Sequence, residues 1–261
     1  MFPYLLALEI MKLLFNFLFK KKRIPFPAAL SMLSIVIPTF NEEKYLPNLL
    51  ESLEGQTFRD FEVVVADAGS RDATRKIATA WGCRLVEGGR IAQGRNAGAR
   101  QAKGNYILFL DADVTLSPSF LEELRSQIIK HELDVASGFI TPDSNKLFDH
   151  IMVTTSNIWH FAIQHIYPHA SGFYIIARKS LHEAIGGFDE ELFLTEDHDY
   201  VRRAARVGRF KYLRQPRVTF SVRRFDKEGR WRLIGKFMVL EAHMLFRKVK
   251  KEVVTYEFGQ F

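Results

Sequence analysis

The chain has 261 residues, 37 Lys and Arg against 30 Asp and Glu, a formal charge of +7, and 47% hydrophobic residues. That balance excludes a disordered tail, a collagenous repeat and a disulfide scaffold, and the length allows one large domain, or a domain and a half, around a sizeable core. The single cysteine, Cys83, has no partner for a disulfide, a Cys-based zinc site or a redox pair, and reads as a small buried apolar residue.

Charge is unevenly spread. Residues 1–23 carry +4 and residues 202–251 carry +14, which leaves −11 for the remainder. Uniform basicity would point to nucleic acid, and no nucleic-acid partner is expected here. Basic ends that are also rich in Phe, Leu and Met point to an anionic lipid surface, and an acidic middle to a bound cation. Tyr4 to Phe19 is apolar except for Glu9, Lys12 and Asn16, which fall on one narrow helical face. These 16 residues fall short of the roughly 20 that span hydrocarbon, and the cations Lys20 to Arg23 follow the apolar run instead of preceding it. The segment is expected to anchor the chain peripherally at the cytoplasmic, inner face of the cell membrane. The competing reading is a helix packed on another helix or on a second subunit.

Pro25, Pro27 and Ala28-Ala29 read as a linker, and the pattern changes near Leu33. Ser34 to Ile37 predicts a strand ended by Pro38. Asn41 to Ser52 predicts a helix with Asn41 as its cap and Leu46, Leu49, Leu50 and Leu53 on one face. Strands over 61–65, 84–86 and 106–110 alternate with helices over 72–80 and 93–102. This alternation predicts an α/β domain with a mostly parallel sheet covered by helices, and in such sheets ligands bind beyond the carboxyl ends of the strands. The residues just past those ends are Thr39-Phe40-Asn41-Glu42, Asp67-Ala68-Gly69-Ser70 and Asp111-Ala112-Asp113.

No Gly-x-Gly-x-x-Gly follows the first strand, and the early Gly-rich, Arg-containing loop of sugar nucleotidyltransferases is missing. Gly89 to Asn96 is the nearest phosphate-loop match, with Arg95 and Asn96 where Lys and Ser or Thr are required. Asp111 and Asp113 carry the most chemistry. Two carboxylates after an apolar strand repel, and a hard divalent cation held by a diphosphate would relieve them. The alternative is a helix cap plus a solvated acid ahead of Ser117-Pro118.

Ile37-Pro38-Thr39-Phe40-Asn41-Glu42, Asp67-Ala68-Gly69-Ser70-Arg71-Asp72, Gly94-Arg95-Asn96-Ala97-Gly98, Phe109-Leu110-Asp111-Ala112-Asp113 and Thr195-Glu196-Asp197, in that order, resemble the family 2 glycosyltransferases of the GT-A fold. The resemblance covers about residues 33–212. It implies a Rossmann-like central sheet and an inverting transferase that moves a sugar from a nucleoside diphosphate to a hydroxyl with Mn2+ or Mg2+. It implies that Pro38, Thr39 and Glu42 line the nucleoside pocket, that Asp67 meets the base, that Asp111 and Asp113 hold ribose and metal, and that Arg95 lies near the diphosphate. The second motif departs from the commoner Asp-Asp-Gly-Ser form at Ala66 or Ala68, so uridine is only the default base.

Displacement at the anomeric carbon also needs a group that takes the proton of the acceptor hydroxyl. Asp197 is the candidate, at a helix start whose dipole would hold it ionised, with Glu196 as the alternative base; both could instead cap that helix. Ser171 and Gly172 are assigned to the acceptor side, where the glycine lets backbone approach the sugar. His160, His165 and His169 lack zinc-hydrolase spacing and are expected to be packed or acceptor-facing. Trp231 to Lys251 reads as a basic amphipathic helix, either on a membrane surface or closing over the acceptor site. The expected organisation is therefore residues 1–31 as amphipathic helix and linker, 32–225 as the GT-A domain with its nucleotide half at 32–115 and acceptor half at 116–225, and 226–261 as a basic helix and tail. The expected partners are a nucleoside diphosphate sugar, a hydroxyl or lipid-linked acceptor and an anionic membrane surface. The alternative function is a non-catalytic sugar-nucleotide-binding module or a related nucleotidyltransferase.

Overall fold

The computed structural model describes residues 32–192 and 194–246. The expected N-terminal anchor, the Lys20 to Arg23 cluster, the linker and the tail beyond Phe246 lie outside them.

Eight strands form one sheet in the order β3-β2-β1-β4-β7-β6-β8-β5. The first four, β1 (Leu33–Thr39), β2 (Phe61–Asp67), β3 (Arg84–Glu87) and β4 (Tyr106–Leu110), are parallel and match the expected alternation. The other half is mixed. β7 (Tyr174–Arg178) runs antiparallel to β4 and to β6 (Val135–Asp143), β6 runs parallel to β8 (Phe210–Ser221), and β8 runs antiparallel to β5 (Val114–Leu116). The expected parallel character thus holds for the first half only. An apolar run such as Tyr174 to Ala177 encodes a buried strand but not its direction. That direction is fixed here by the approach of the chain through Ser171-Gly172-Phe173, which brings β7 in from the carboxyl edge of β4.

Alternate residues of the central strands build two cores, one on each face. Ile35, Ile37, Leu108 and Leu110 pack with α1 (Leu46–Glu54) and α4 (Phe120–His131), while Val36, Ile107 and Phe109 pack with α3 (Ile91–Gln101), α6 (Lys179–Ala184) and α7 (Glu196–Val207). On α1 the buried stripe is Leu46, Leu49, Leu50 and Leu53, as the sequence spacing predicts, and each such leucine contributes about 1.5–3 kcal/mol by burial. The helix starts five residues later than expected. Asn41 is no cap: its φ of 55° is left-handed, its N–H donates to Ser70 Oγ, and its Oδ1 accepts the N–H of Arg71. The remaining helices are α2 (Thr74–Ala80), α5 (Leu147–Ile163), α8 (Arg223–Glu228) and α9 (Arg230–Phe246). No helix among the described residues is long and apolar enough to cross a membrane.

Gly98 sets how closely α3 lies on β1, since an added Cβ would stand 2.3 Å from Val36 Cγ1. Val36 is β-branched and fully buried, so it cannot turn aside. Gly98→Ala gains about 1 kcal/mol of helix propensity and loses about 1–3 kcal/mol to overpacking. We expect a lower urea midpoint; an unchanged or raised midpoint would mean that the helix can shift off the strand.

Candidate active site

Parallel pairing sets Thr39 beside Asp67, and β4 ends next to them at Leu110, so the three expected loops share one edge of the sheet. Asp67 is fully buried, and its carboxylate accepts from the N–H of Gly69 (3.1 Å) and Ser70 (2.9 Å), the hydroxyls of Ser70 (2.5 Å) and Thr39 (3.1 Å), and Arg75 Nη1 (3.1 Å). Both oxygens are committed to shaping the 67–70 loop. Pro38 packs beneath α3, where a Cβ on Gly94 would lie 3.1 Å from it.

Beyond β4 the carboxylates are held by two arginines. Arg95, on α3, is almost wholly buried. Its Nη1 donates to Glu196 at 2.9 Å, its Nη2 donates to Asp111 and to the carbonyl of Gly172, both at 3.0 Å, and its guanidinium lies 5.3 Å from the Phe188 ring centroid. It therefore joins the end of β4, the approach to β7 and the start of α7. Arg223, at the start of α8, donates through both Nη atoms to Glu42 at 2.7 Å, meets Asp113 through Nε at 3.0 Å and stacks over Tyr45 at 4.3 Å. Nothing in the sequence singles out Arg223 from the other Lys and Arg of residues 202–251. It reaches Asp113 because β8 pairs antiparallel with β5 and Ser221 N–H donates to the carbonyl of Asp113.

Burial raises the pKa of the Glu42 carboxyl and pushes Asp113 up to about 6, with Arg223 acting against it. Arg95 and Arg223 each meet one oxygen of Asp111 and Asp113. Among the described residues no group of three or more His, Cys, Asp and Glu is gathered for an ion, so a cage made of protein alone is not the fit. Two carboxylates together with phosphate oxygens are, however, the usual donor set of a small hard dication, and the residues present fit that role.

Glu196 and Asp197 open α7. Burial pushes Glu196 up to about 7, helped by the charge of Asp197, and burial also raises Asp197 above the usual carboxylate range. The expected dipole effect is outweighed, although Asp197 does accept the N–H of His198 at 2.8 Å. Gly172, with φ 79°, is pressed against Asp197: a Cβ there would stand 2.9 Å from Oδ2. Ser171 lies alongside, its N–H donating to Ser137 Oγ at 3.2 Å. His160 stacks on His169 at 5.0 Å between centroids, and His169 meets His198 at 4.8 Å. His198, 29 residues beyond His169 in sequence, joins this group, whereas His165 lines a separate cavity of about 510 Å³ with His131 and Lys211.

A family model described as glycosyl transferase family 2 matches residues 34–185, more than half of the chain. The chain belongs to that family. Validoxylamine A glucosyltransferase of Streptomyces hygroscopicus subsp. limoneus is 39% identical over 113 residues, which cover 38% of this chain and 25% of the relative. A crystal structure of residues 1–349 of TarS from Staphylococcus aureus in complex with UDP superposes with a TM-score of 0.60 at 25% identity, covering 73% of this chain and 60% of that one. TarS is named a poly(ribitol-phosphate) β-N-acetylglucosaminyltransferase. A mannosyltransferase of Pyrobaculum calidifontis, solved with GDP-Man and Mn2+, shares the fold at TM-score 0.61 and 20% identity, over 80% of this chain and 64% of that one. The chain spans between 16% and 61% of the length of the first three curated relatives it matches.

In this member of family 2, removing one partner of a buried ion cluster strands the others. Arg95→Met leaves Asp111 and Glu196 without their shared cation and should cost about 3–5 kcal/mol. Denaturant unfolding checks this, and a loss below about 1 kcal/mol would mean that water reaches Asp111 and Glu196 and replaces the clamp.

Proposed function

We propose that the domain is a metal-dependent inverting glycosyltransferase that moves a sugar from a nucleoside diphosphate, with uridine as the first base to test, to a hydroxyl acceptor. The observation that carries this is the buried Glu196-Asp197 pair at the head of α7, tied through Arg95 to Asp111 at the end of β4. It sets a candidate base and a candidate donor site on one rigid connection. The TarS complexes with UDP and UDP-GlcNAc support a nucleotide-sugar donor.

In this mechanism Thr39 and Glu42 line the nucleoside pocket, and Asp67 shapes that pocket through its loop. Asp111 and Asp113 would hold Mn2+ or Mg2+, which when bound neutralises the departing diphosphate. Asp197 accepts the acceptor's proton as the acceptor oxygen bonds to the anomeric carbon and the bond to the diphosphate oxygen breaks. Its raised pKa makes it a stronger base than an exposed aspartate. Arg95 acts by positioning, since both its Nη atoms are engaged by protein groups. Ser171, Gly172 and the histidines border the acceptor side. The domain is taken as residues 32–225, with attachment to the inner face of the cell membrane through the basic ends.

Screening nucleotide sugars with Mn2+ and scoring released nucleoside diphosphate tests the reaction; binding of donor with no turnover on any acceptor would favour a binding module. Asp113→Ala should abolish the metal-dependent part of UDP binding in calorimetry, and unchanged affinity would remove Asp113 from the metal site. Asp197→Asn should keep UDP affinity and lower turnover by ~10² or more, while the wild-type rate rises with pH through a pKa above the usual aspartate value. Lost UDP affinity with an unchanged saturated rate would make Asp197 a donor ligand.

A further inference from the structure

Ten of the thirteen large hydrophobic side chains that stand exposed among the described residues lie on α5, just beyond it, or on α9. On α5, Leu147 (74% exposed), Ile151, Ile158 and Trp159 fall at helical spacing on one outer face, and Ile166 (89%) continues it. On α9, Trp231 (75%), Phe237 and Met238 are exposed. The two helices share this surface, since the rings of Phe148 and Trp231 lie 5.1 Å apart. The sole carboxylate or ammonium between Leu147 and Ile163 is Asp149, which is buried against Arg230 at 2.5 and 2.9 Å. A seventeen-residue surface helix whose outer face carries no charged side chain is not built for water.

We propose that the outer faces of α5 and α9 form one membrane-docking surface, which seats the domain on an anionic bilayer with the acceptor side of its site towards the lipid. Charge selects the occupant. Residues 224–240 hold five Lys and Arg against two acids, with Lys227 and Arg232 exposed. Anionic headgroups complement this rim, whereas a second copy laid symmetrically face to face would set like charges against each other. The exposed rings of Trp159 and Trp231 suit the headgroup level, where an amphipathic ring keeps its N–H in water. The orientation follows from α5 itself. Trp159 adjoins His160, which stacks on His169, which meets His198 beside Asp197, so the apolar face runs up to the candidate base. A hydroxyl or phosphate carried on a lipid would therefore approach Asp197 along α5. This orientation rests on the role proposed for Asp197; the docking does not.

The test is flotation of the full chain with phosphatidylcholine vesicles, with and without phosphatidylglycerol. Binding is expected with the anionic lipid and should weaken in high salt. The triple variant Ile151→Glu, Ile158→Glu, Trp159→Glu changes only exposed positions, and its bound fraction should fall about tenfold or more. Ile129→Glu, an exposed apolar position outside the surface, should bind as the wild type does. UDP affinity, read by calorimetry, should be the same in all of these; its absence from the wild type would count against the proposed donor and leave the docking result standing. Equal flotation of the triple variant and the wild type would overturn the proposal and assign binding to the chain ends alone. So would wild-type protein that ignores anionic vesicles, or a dimer in solution that the triple variant dissolves without any effect on lipid.

Discussion

A buried guanidinium joins parts of this molecule that the sheet alone would not align. Arg95 sits at the junction of α3, the end of β4, the Gly172 turn and the first residue of α7, and each of its hydrogen-bond partners is a carboxylate or a backbone carbonyl. Asp111, Glu196 and Asp197 are acids that water would otherwise stabilise, and burial raises the pKa of both Glu196 and Asp197. Their charges in turn outweigh the burial that would loosen the proton on Arg95, so the guanidinium stays ionised. The clamp is useful less for net stability, which buried ion pairs seldom supply, than for fixing which strand end faces which helix start.

Arg223 repeats the device on the other side. It holds Glu42 from the β1 loop and Asp113 from beyond β4, and its face is covered by Tyr45. Five carboxylates (Glu42, Asp111, Asp113, Glu196 and Asp197) thus share two arginines, an acid-rich balance that a divalent cation would correct. Between these clamps the backbone makes its own accommodation. Gly172 takes a positive φ, and an added Cβ there would stand 2.9 Å from Asp197 Oδ2, so that carboxylate would have to shift.

The apolar outer face of α5 belongs to the same organisation. Its inner side is anchored by Asn157, whose amide bonds both the N–H and the carbonyl of Ile140 on β6, and by Asp149 held to Arg230. Val153 joins the core on that inner side, while Leu147, Ile151, Ile158 and Trp159 stand exposed on the outer one.

Much of the first half was legible in the sequence because its signals are local. Runs of β-branched residues, the Leu46-Leu49-Leu50-Leu53 stripe and the position of acids just past each strand depend on spacing of a few residues, and parallel alternation carries them to one sheet edge. The Asp111 and Asp113 candidates came from the same spacing and Asp197 from a helix start and the family resemblance, and the tertiary structure ties Asp111 and Glu196 to one arginine. What the chain's order did not contain was partnership across long separations. Arg95 meets Glu196 across 101 residues and Arg223 meets Glu42 across 181, and no local pattern marks which of many arginines will be buried. For that reason the ties that Arg95 makes to Asp111 and Glu196 had no signal in the sequence, and Arg223 was submerged in a basic tail. The direction of β7, the capture of His198 by His169 and the shared surface of α5 and α9 likewise arise only when distant segments pack. Local periodicity specified the elements; burial, which forces charges to find partners wherever the fold places them, decided the site.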